Sequence, residues 1–293
     1  MSALAEQSAV AGGTSNPSQV RAALRLGRTR LGLALCLAVI GVALVGPWLV
    51  PHSPTDFVAG PFQVRAPGAP LGSDNLGRDV LSRFLAGGKA LLILSVLATI
   101  AGVGLGTAVG AIAGYFRSTI DNWLMRLTDV VLAFPHIVLA LLLVATFGPQ
   151  PWLIVLAVAI GHAPRTARIV RAATLGVVEH DYIRAAEAVG VPWPSIVFHE
   201  IVPAISSPLL AETALRFAYS LTFVSSLSFL GLGLQPPTPD WGVMINENRL
   251  ALTVAPFGTL LPAAALAILT VGTSLVSDGF SRVVAGVDRG IKS

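Results

Sequence analysis

The residues of this sequence that could carry chemistry do not assemble into a familiar catalytic motif. His199-Glu200 begins like the zinc-binding motif H-E-x-x-H, but proline occupies position 203, where the second histidine is needed. Gly87-Gly88-Lys89 resembles the end of a phosphate-binding loop, yet the earlier glycine and the following hydroxyl residue are missing. No G-x-S-x-G motif occurs, and the five histidines are not at zinc-like spacings. The sequence therefore predicts no enzyme, no metal site and no cofactor in this chain.

Four glycines recur at every fourth position within a segment that contains no charged residue. This spacing places them on one face of a helix, where the absence of side chains lets another helix approach closely. We predict that this face packs against a helix, either within the chain or in a partner subunit, and contact with a substrate is the alternative. The four residues are Gly102, Gly106, Gly110 and Gly114.

Glu212 and Arg216 form an oppositely charged pair four residues apart, near the expected cytosolic start of a membrane-spanning helix. Removing either charge alone would leave the other poorly solvated in an apolar environment. We therefore predict a structural salt bridge, with gating or substrate contact as the alternative. His136 follows Pro135 in the middle of another apolar segment, where it is either hydrogen-bonded to a neighbouring helix or functional.

A polar stretch, 172–203, separates two of the apolar segments and contains a short predicted helix. Asp181 can cap this helix, Gly190 can end it in the left-handed conformation, and prolines at 192 and 194 prevent it from continuing. A helix of about nine residues is marginal on its own, so another surface must support it.

The side chains of this short helix favour a protein partner over a lipid surface. Helices that lie on lipid carry an excess of lysine and arginine, whereas here Asp181 and Glu187 offset Arg184. We predict a docking site for a cytosolic protein, with an interfacial helix as the alternative. The apolar side chains expected to contribute are Tyr182, Ile183, Val189 and Trp193.

The composition indicates which elements must position these residues. Hydrophobic residues make up 54% of the 293-residue chain and charged residues 12%, about half the ~25% of a typical soluble domain. Five windows contain no Asp, Glu, Lys or Arg, and each is longer than the ~20 residues that a helix needs to cross a bilayer. We predict an all-α polytopic membrane protein, in which a Gly/Pro-rich break divides the longest window into two spans. The windows are 31–55, 90–116, 130–164, 217–239 and 250–277.

The distribution of positive charge predicts the orientation of six transmembrane helices. Under this scheme thirteen Lys and Arg residues fall on one side and five on the other, which places both termini in the cytosol. The net charge of +4 comes from these scattered residues, so nucleic-acid binding is not expected. The helices are expected near 31–50, 90–114, 125–147, 152–171, 208–231 and 257–280. The predicted organisation is a cytosolic tail 1–30, a first helix 31–50, an extracytosolic connection 51–88, a five-helix core 89–285 and a cytosolic tail 286–293.

Within the polar stretch, Ala185-Ala186 is followed by Gly190, and Pro203 follows that glycine by thirteen residues. This pattern resembles the EAA loop of permease subunits in bacterial ABC importers. Arg184 replaces the motif's glutamate, with Glu187 supplying an opposite charge one turn later, and valine at 202 replaces its leucine.

Two further segments resemble the C-type permease subunit of the dipeptide and oligopeptide importers. They are LGSDNLGRDVLSR (71–83) and SFLGLGLQPPTPDWG (228–242). The resemblance extends from about residue 31 to residue 285. It implies the type I importer permease fold and a multi-pass location in the bacterial plasma membrane.

The resemblance also implies a set of partners and a role for the loop 181–203. The partners are a homologous permease subunit, two cytosolic ATPase subunits that bind ATP and Mg²⁺, and an extracytosolic substrate-binding protein. The loop would act as a coupling helix that transmits ATP-driven closure. The expected substrates are dipeptides or oligopeptides, while similar permeases carry glutathione, haem or nickel. The coupling residues carried over in this way are Asp181, Tyr182, Arg184, Ala185, Ala186, Glu187, Gly190, Trp193 and Pro203.

Two other classes of function are the alternatives. A self-contained ion-coupled secondary transporter typically carries an acidic residue near the membrane midplane, and the five charge-free windows hold none. An intramembrane enzyme would need a nucleophile or a metal cluster, and the sequence contains no recognisable one. We therefore expect energy to reach this chain from a separate subunit, through the loop 181–203.

Overall fold

The computed structural model describes Leu24 and residues 26–65 and 67–284 of the chain. Within these residues the regular structure is helical, apart from two isolated β-bridges in the loop that precedes the second long helix. Most of the predicted tail 1–30 and all of the predicted tail 286–293 lie outside the described residues.

The helices of the described chain are α1 Gly27–Val45, α2 Val80–Phe116, α3 Thr119–Ala133, α4 His136–Phe147, α5 Pro151–Val178, α6 Asp181–Ala188, α7 Trp193–Ala204, α8 Ser206–Phe229, α9 Trp241–Asn248 and α10 Phe257–Val284. Four of them, α1 with its terminal turn, α2, α5 and α10, are long and apolar enough to cross a membrane. The number rises to six if the bent pairs α3–α4 and α7–α8 each count as one span, and the predicted all-α polytopic fold is confirmed.

The third predicted span is not one straight helix. The sequence predicts a continuous helix near 125–147, but α3 and α4 meet at a bend of 81°. The bend falls at Phe134-Pro135, because proline has no amide hydrogen to donate and disfavours the helical conformation of the residue before it. The sequence predicts His136 in the middle of a helix, but His136 is the first residue of α4.

The second span begins ten residues before its predicted start at residue 90, inside the segment assigned to the connection 51–88. The Asp79 carboxylate caps α2 by accepting hydrogen bonds from the amides of Leu81 (3.2 Å) and Ser82 (3.1 Å). At 37 residues and ~1.5 Å per residue, α2 exceeds the ~30 Å hydrocarbon core. Its first turns carry Arg83 and Lys89, whereas 90–116 contains no charged residue, so the first turns are the part that projects beyond the bilayer.

The short helix predicted in the polar stretch is present as α6, with different boundary details. Its N-cap is His180 and not Asp181, which is the first residue of the helix. As predicted, α6 does not continue through the prolines, and a separate helix, α7, begins at Trp193 with Pro194 in its first turn, where no amide is needed. The middle of α7, 196–201, is π-helical just before Pro203, whose ring crowds the carbonyl four residues earlier.

Two clusters of buried side chains hold these helices together. The larger joins α1, α2, α4, α5, α8, α9 and α10, and includes Leu91, Ile154, Leu221, Trp241 and Leu269. The smaller cluster lies where α6 and α7 pack on the ends of α2 and α5, and includes Ile183, Ile196, Val197 and Ile201. The second cluster supplies the supporting surface that a helix as short as α6 requires.

Candidate functional site

The helical pair α6–α7 forms a compact unit at one end of the bundle. The amides of Gly190 and Val191 donate hydrogen bonds to the carbonyls of Glu187 and Ala186, both at 3.0 Å, and so close the end of α6. Gly190 has a φ of 81°, the left-handed conformation that glycine adopts without a steric penalty. The turn at Gly190 lets the chain reverse into α7 within four residues.

Packing fixes this unit rigidly to the membrane helices. Ile183, Ile196 and Ile201 are fully buried, together with Ala111 of α2 and Val170 of α5. The prediction that Ile183 contributes to docking is wrong, because its side chain is buried inside the unit and not exposed on its surface. α6 and α7 therefore share one buried cluster with α2 and α5.

The outer surface of α6 and the turn after it are open. Val189 is 79% exposed, Tyr182 is 46% exposed and Trp193 is 41% exposed. The Trp193 ring also lies edge-on to Phe116 at the end of α2, with ring centroids 5.3 Å apart. Burial raises the pKa of the Tyr182 phenol, and the negative charge of Glu200 adds to this shift. The phenol therefore stays neutral near pH 7 and can donate a hydrogen bond.

The polar residues of the predicted coupling loop have different surroundings. Arg184 and Ala185 are exposed, Ala186 is half-buried, and Asp181 is exposed at the start of α6. Glu187 lies within hydrogen-bonding reach of the Tyr115 hydroxyl on α2. Asp181, Arg184 and Glu187 are therefore all exposed on α6, and Glu187 is the one that lies near α2. Pro203 lies near the end of α7, followed by the 75° bend into α8.

The four glycines of α2 face α5 along its length. A Cβ atom at Gly102 would lie 2.9 Å from the Cβ of His162, and one at Gly106 would lie 2.6 Å from the Cβ of Thr166. Gly110 and Gly114 approach α5 one and two turns further on, against Ala167 with Val170 and against Arg171 with Thr174. Each step along α2 matches one step along α5, so the two helices run parallel and their backbones nearly touch.

Glu212 and Arg216 form a salt bridge inside the bundle. The Arg216 Nε donates to Glu212 Oε1 at 2.7 Å, and Arg216 and Glu212 are only 5% and 4% exposed. Thr166 of α5 donates a second hydrogen bond to the same carboxylate oxygen at 3.1 Å. The Arg216 guanidinium also stacks over Tyr219 at 5.2 Å from the ring centroid. The pair therefore ties α8 to α5 through a buried carboxylate.

A second buried polar contact links the same helices and was not foreseen from the sequence. His162 on α5 is fully buried, and its Nε2 lies 3.0 Å from the Ser220 hydroxyl of α8. The Thr99 hydroxyl of α2 donates to the same Ser220 oxygen at 2.9 Å. No local sequence pattern joins these three residues, which become neighbours only when α2, α5 and α8 pack.

At the opposite end of the bundle, the connection before α2 and the helix α9 meet in a buried ion cluster. Arg78 Nε donates to Asp74 Oδ2 at 2.7 Å, and Arg83 Nη1 donates to Glu247 Oε2 at 2.6 Å. Arg83 also contacts Asp74, and Arg78 contacts Glu247 at 3.1 Å, so every charge has two partners. The cluster therefore locks the connection before α2 onto α9.

An aromatic contact reinforces this junction. The Trp241 indole donates to the Phe84 carbonyl at 2.8 Å, and the two rings stack with centroids 5.5 Å apart. A Cβ atom at Gly88 would lie 2.5 Å from the Trp241 ring, so glycine gives the indole the space it needs. The segments 71–83 and 228–242, which carry the sequence resemblance, thus lie against the same end of α2.

Across the described range of the chain, no group of three or more His, Cys, Asp or Glu side chains could hold a metal ion.

A model of the inner membrane components of binding-protein-dependent transport systems matches residues 106–286, which is more than half of the chain. The chain belongs to this family. The glutathione transport system permease protein GsiD of Pectobacterium atrosepticum is 36% identical over 245 residues, covering 83% of this chain and 81% of that protein. The dipeptide transport system permease protein DppC of Alkalihalophilus pseudofirmus is 32% identical over 254 residues, covering 85% and 82%.

A solved structure of an amino acid ABC transporter with histidines aligns with 71% of this chain and 94% of that chain, at 22% identity and a TM-score of 0.47. Family membership makes this chain a multi-pass membrane permease that works with ATPase and substrate-binding partners. The predicted ABC importer permease is thereby confirmed. The secondary-transporter and intramembrane-enzyme alternatives have no support from these relatives.

Proposed function

We propose that this permease forms half of the translocation pathway of a bacterial ABC importer for small peptides. The observation that carries the proposal is similarity to GsiD and DppC over more than four fifths of their lengths. One of those relatives is named for glutathione transport and the other for dipeptide transport. Both substrates present amide groups, an amino group and a free carboxylate to a permease, so we propose short peptides of this kind as the cargo.

The proposal includes a role for α6 and the turn that follows it. The exposed side chains of Tyr182, Arg184, Val189 and Trp193 would contact a cytosolic ATPase. Burial of Ile183 and Ile196 against α2 and α5 supports this role, because a rigid attachment is needed to pass movement into the membrane helices. ATP and Mg²⁺ would bind to the ATPase subunits and not to this chain.

The complete importer would contain this chain, a homologous permease subunit, two cytosolic ATPase subunits and an extracytosolic binding protein. It would lie in the bacterial plasma membrane with both termini of this chain in the cytosol. Arg117 in the loop after α2 and Arg184 on α6 support this orientation, since cytosolic segments carry an excess of arginine.

The test is uptake by the purified importer in proteoliposomes, with labelled glutathione and labelled dialanine as probes. We expect uptake of at least one probe, and we expect it to require both the binding protein and ATP. Uptake by this chain alone, without ATP, would instead establish a secondary transporter. An importer that hydrolyses ATP but imports neither probe would contradict the proposed substrate class.

A further inference from the structure

Three arginines follow one another at three-residue intervals on α5, and α3 supplies carboxylates to two of them. Arg171 binds Asp121 through two hydrogen bonds, Nε to Oδ1 at 2.5 Å and Nη2 to Oδ2 at 2.6 Å. Arg168 forms an ion pair with Asp129. Because α3 and α5 run in opposite directions, the next position of this ladder pairs Arg165 with the end of α3.

Arg165 has no carboxylate partner among the residues that the structure describes. The end of α3 next to it carries only apolar residues, 130–134, before the bend at Pro135. Arg165 is an exposed side chain, about 21 Å along α5 from Pro151 at ~1.5 Å per residue. That position is still within the ~30 Å hydrocarbon thickness. A cation at this depth requires an anion or water to solvate it.

The side chain of Arg165 borders a cavity of about 250 Å³ that the bend between α3 and α4 creates. The walls are formed by 131–136 and Leu139 on one side and by Gly161 and Arg165 on the other. The His136 Nε2 lies 3.2 Å from the Ala157 carbonyl, which fixes the ring on the wall. The N-terminus of α4 has no side-chain cap and lines the same cavity, and the positive end of its helix dipole adds to the charge of Arg165.

The cavity adjoins a polar face of α8. The His136 ring lies against Phe223, with centroids 4.0 Å apart. On the same helix Tyr219 is exposed, and so is Thr222, whose hydroxyl donates to the Ala218 carbonyl at 3.2 Å. Polar side chains of membrane helices usually face protein or water and not acyl chains. The cavity thus lies near a face of α8 that carries the exposed Tyr219 side chain.

We propose that Arg165 binds the free carboxylate of the transported peptide at this cavity. The inference rests on the proposed function, because it assigns a substrate-contacting residue to the same importer. A guanidinium group binds a carboxylate through two parallel hydrogen bonds, which gives both strength and orientation. A phospholipid phosphate has the same oxyanion chemistry, and the polar face of α8 favours the substrate as its source.

The test compares dialanine with dialanine amide, which has the same shape but lacks the carboxylate charge. Uptake is measured with the assembled importer in proteoliposomes, at peptide concentrations that saturate the binding protein for each probe. We expect the wild-type importer to transport the acid at least tenfold faster than the amide. Arg165→Gln should slow uptake of the acid by tenfold or more and leave uptake of the amide unchanged, while Arg165→Lys should have an intermediate effect.

Arg168→Gln is the matched control. It also removes one positive charge from α5, one turn from Arg165, but Arg168 already has a carboxylate partner in Asp129. It should keep the wild-type ratio of acid to amide uptake. If Arg165→Gln keeps the wild-type ratio of acid uptake to amide uptake, the inference is overturned while the proposed function stays intact. Equal slowing of both probes, dependent on anionic lipid in the vesicles, would assign Arg165 to a phospholipid instead. Loss of the assembled complex would assign it to a partner subunit, and a wild-type importer that carries no peptide would overturn the proposed function as well.

Discussion

Gly106→Ala should destabilise the permease by forcing α2 and α5 apart. A Cβ atom at this position would lie 2.6 Å from Thr166 Cβ and 2.7 Å from the Ala163 carbonyl oxygen. Both distances are about 1 Å shorter than the ~3.5–4.0 Å of an ordinary van der Waals contact. One of the two atoms belongs to the backbone and the other is the first atom of its side chain, so neither can rotate away.

The expected loss is about 2 kcal/mol, since adding a methyl group to a well-packed interface typically costs about 1–3 kcal/mol. For a chain of this size, such a loss corresponds to a fall of about 4–8 °C in the unfolding temperature. The assay is the thermal unfolding of the purified importer complex in detergent, followed by the loss of the assembled species in size-exclusion chromatography.

Gly104→Ala is the matched control, because it adds the same atom two residues away in the same helix. No heavy atom lies within 4 Å of a Cβ at Gly104. The control should unfold at the wild-type temperature or slightly above, since alanine favours helix over glycine. If Gly106→Ala unfolds with the wild type, or if both variants lose the same stability, close packing of α2 on α5 does not explain the glycine spacing.

The other predictions concern the coupling turn, the buried ion pair and the cap of α9. Gly190 has a φ of 81°, so Gly190→Val should strain the turn by about 1–2 kcal/mol; we expect normal membrane insertion with loss of peptide uptake, and undiminished uptake would contradict the coupling role. Glu212→Gln leaves Arg216 buried without its counter-charge and should lower the free energy of unfolding by about 3–5 kcal/mol. The double variant Glu212→Leu/Arg216→Met should recover most of this loss in thermal unfolding. A double variant as unstable as the single one would refute the pairing. Burial raises the pKa of Asp240 even though its carboxylate accepts hydrogen bonds from the amides of Gly242 and Val243. Stability should therefore fall as pH rises from the ordinary aspartate pKa through the raised one, and Asp240→Asn, which keeps the cap, should remove this dependence; parallel pH profiles of unfolding temperature for the two proteins would contradict it.

Several features of this protein follow from its sequence alone. A charge-free window longer than ~20 residues is stable only in a membrane or a buried core, so these windows identify the apolar segments directly. The glycine spacing defined a flat helix face because an α-helix repeats every ~3.6 residues. The same local geometry placed Glu212 and Arg216 within reach of each other, four residues apart on one helix. The EAA-like loop and the segments 71–83 and 228–242 indicated the family through their residue types and order along the chain.

The remaining features depend on contacts between residues that are distant in the chain. The sequence defined the glycine face but not its partner, and only packing selects α5 from the other helices. Glu247 pairs with Arg78 and Arg83 although 164 residues separate it from Arg83. Arg165 resembles Arg168 and Arg171 in sequence, and only the placement of α3 shows that two have carboxylates and one has none among the described residues. Local sequence thus determined which segments are helical and apolar, because hydration and hydrogen bonding act on each segment separately, while the tertiary structure decided which charges are paired, because pairing requires two segments to meet.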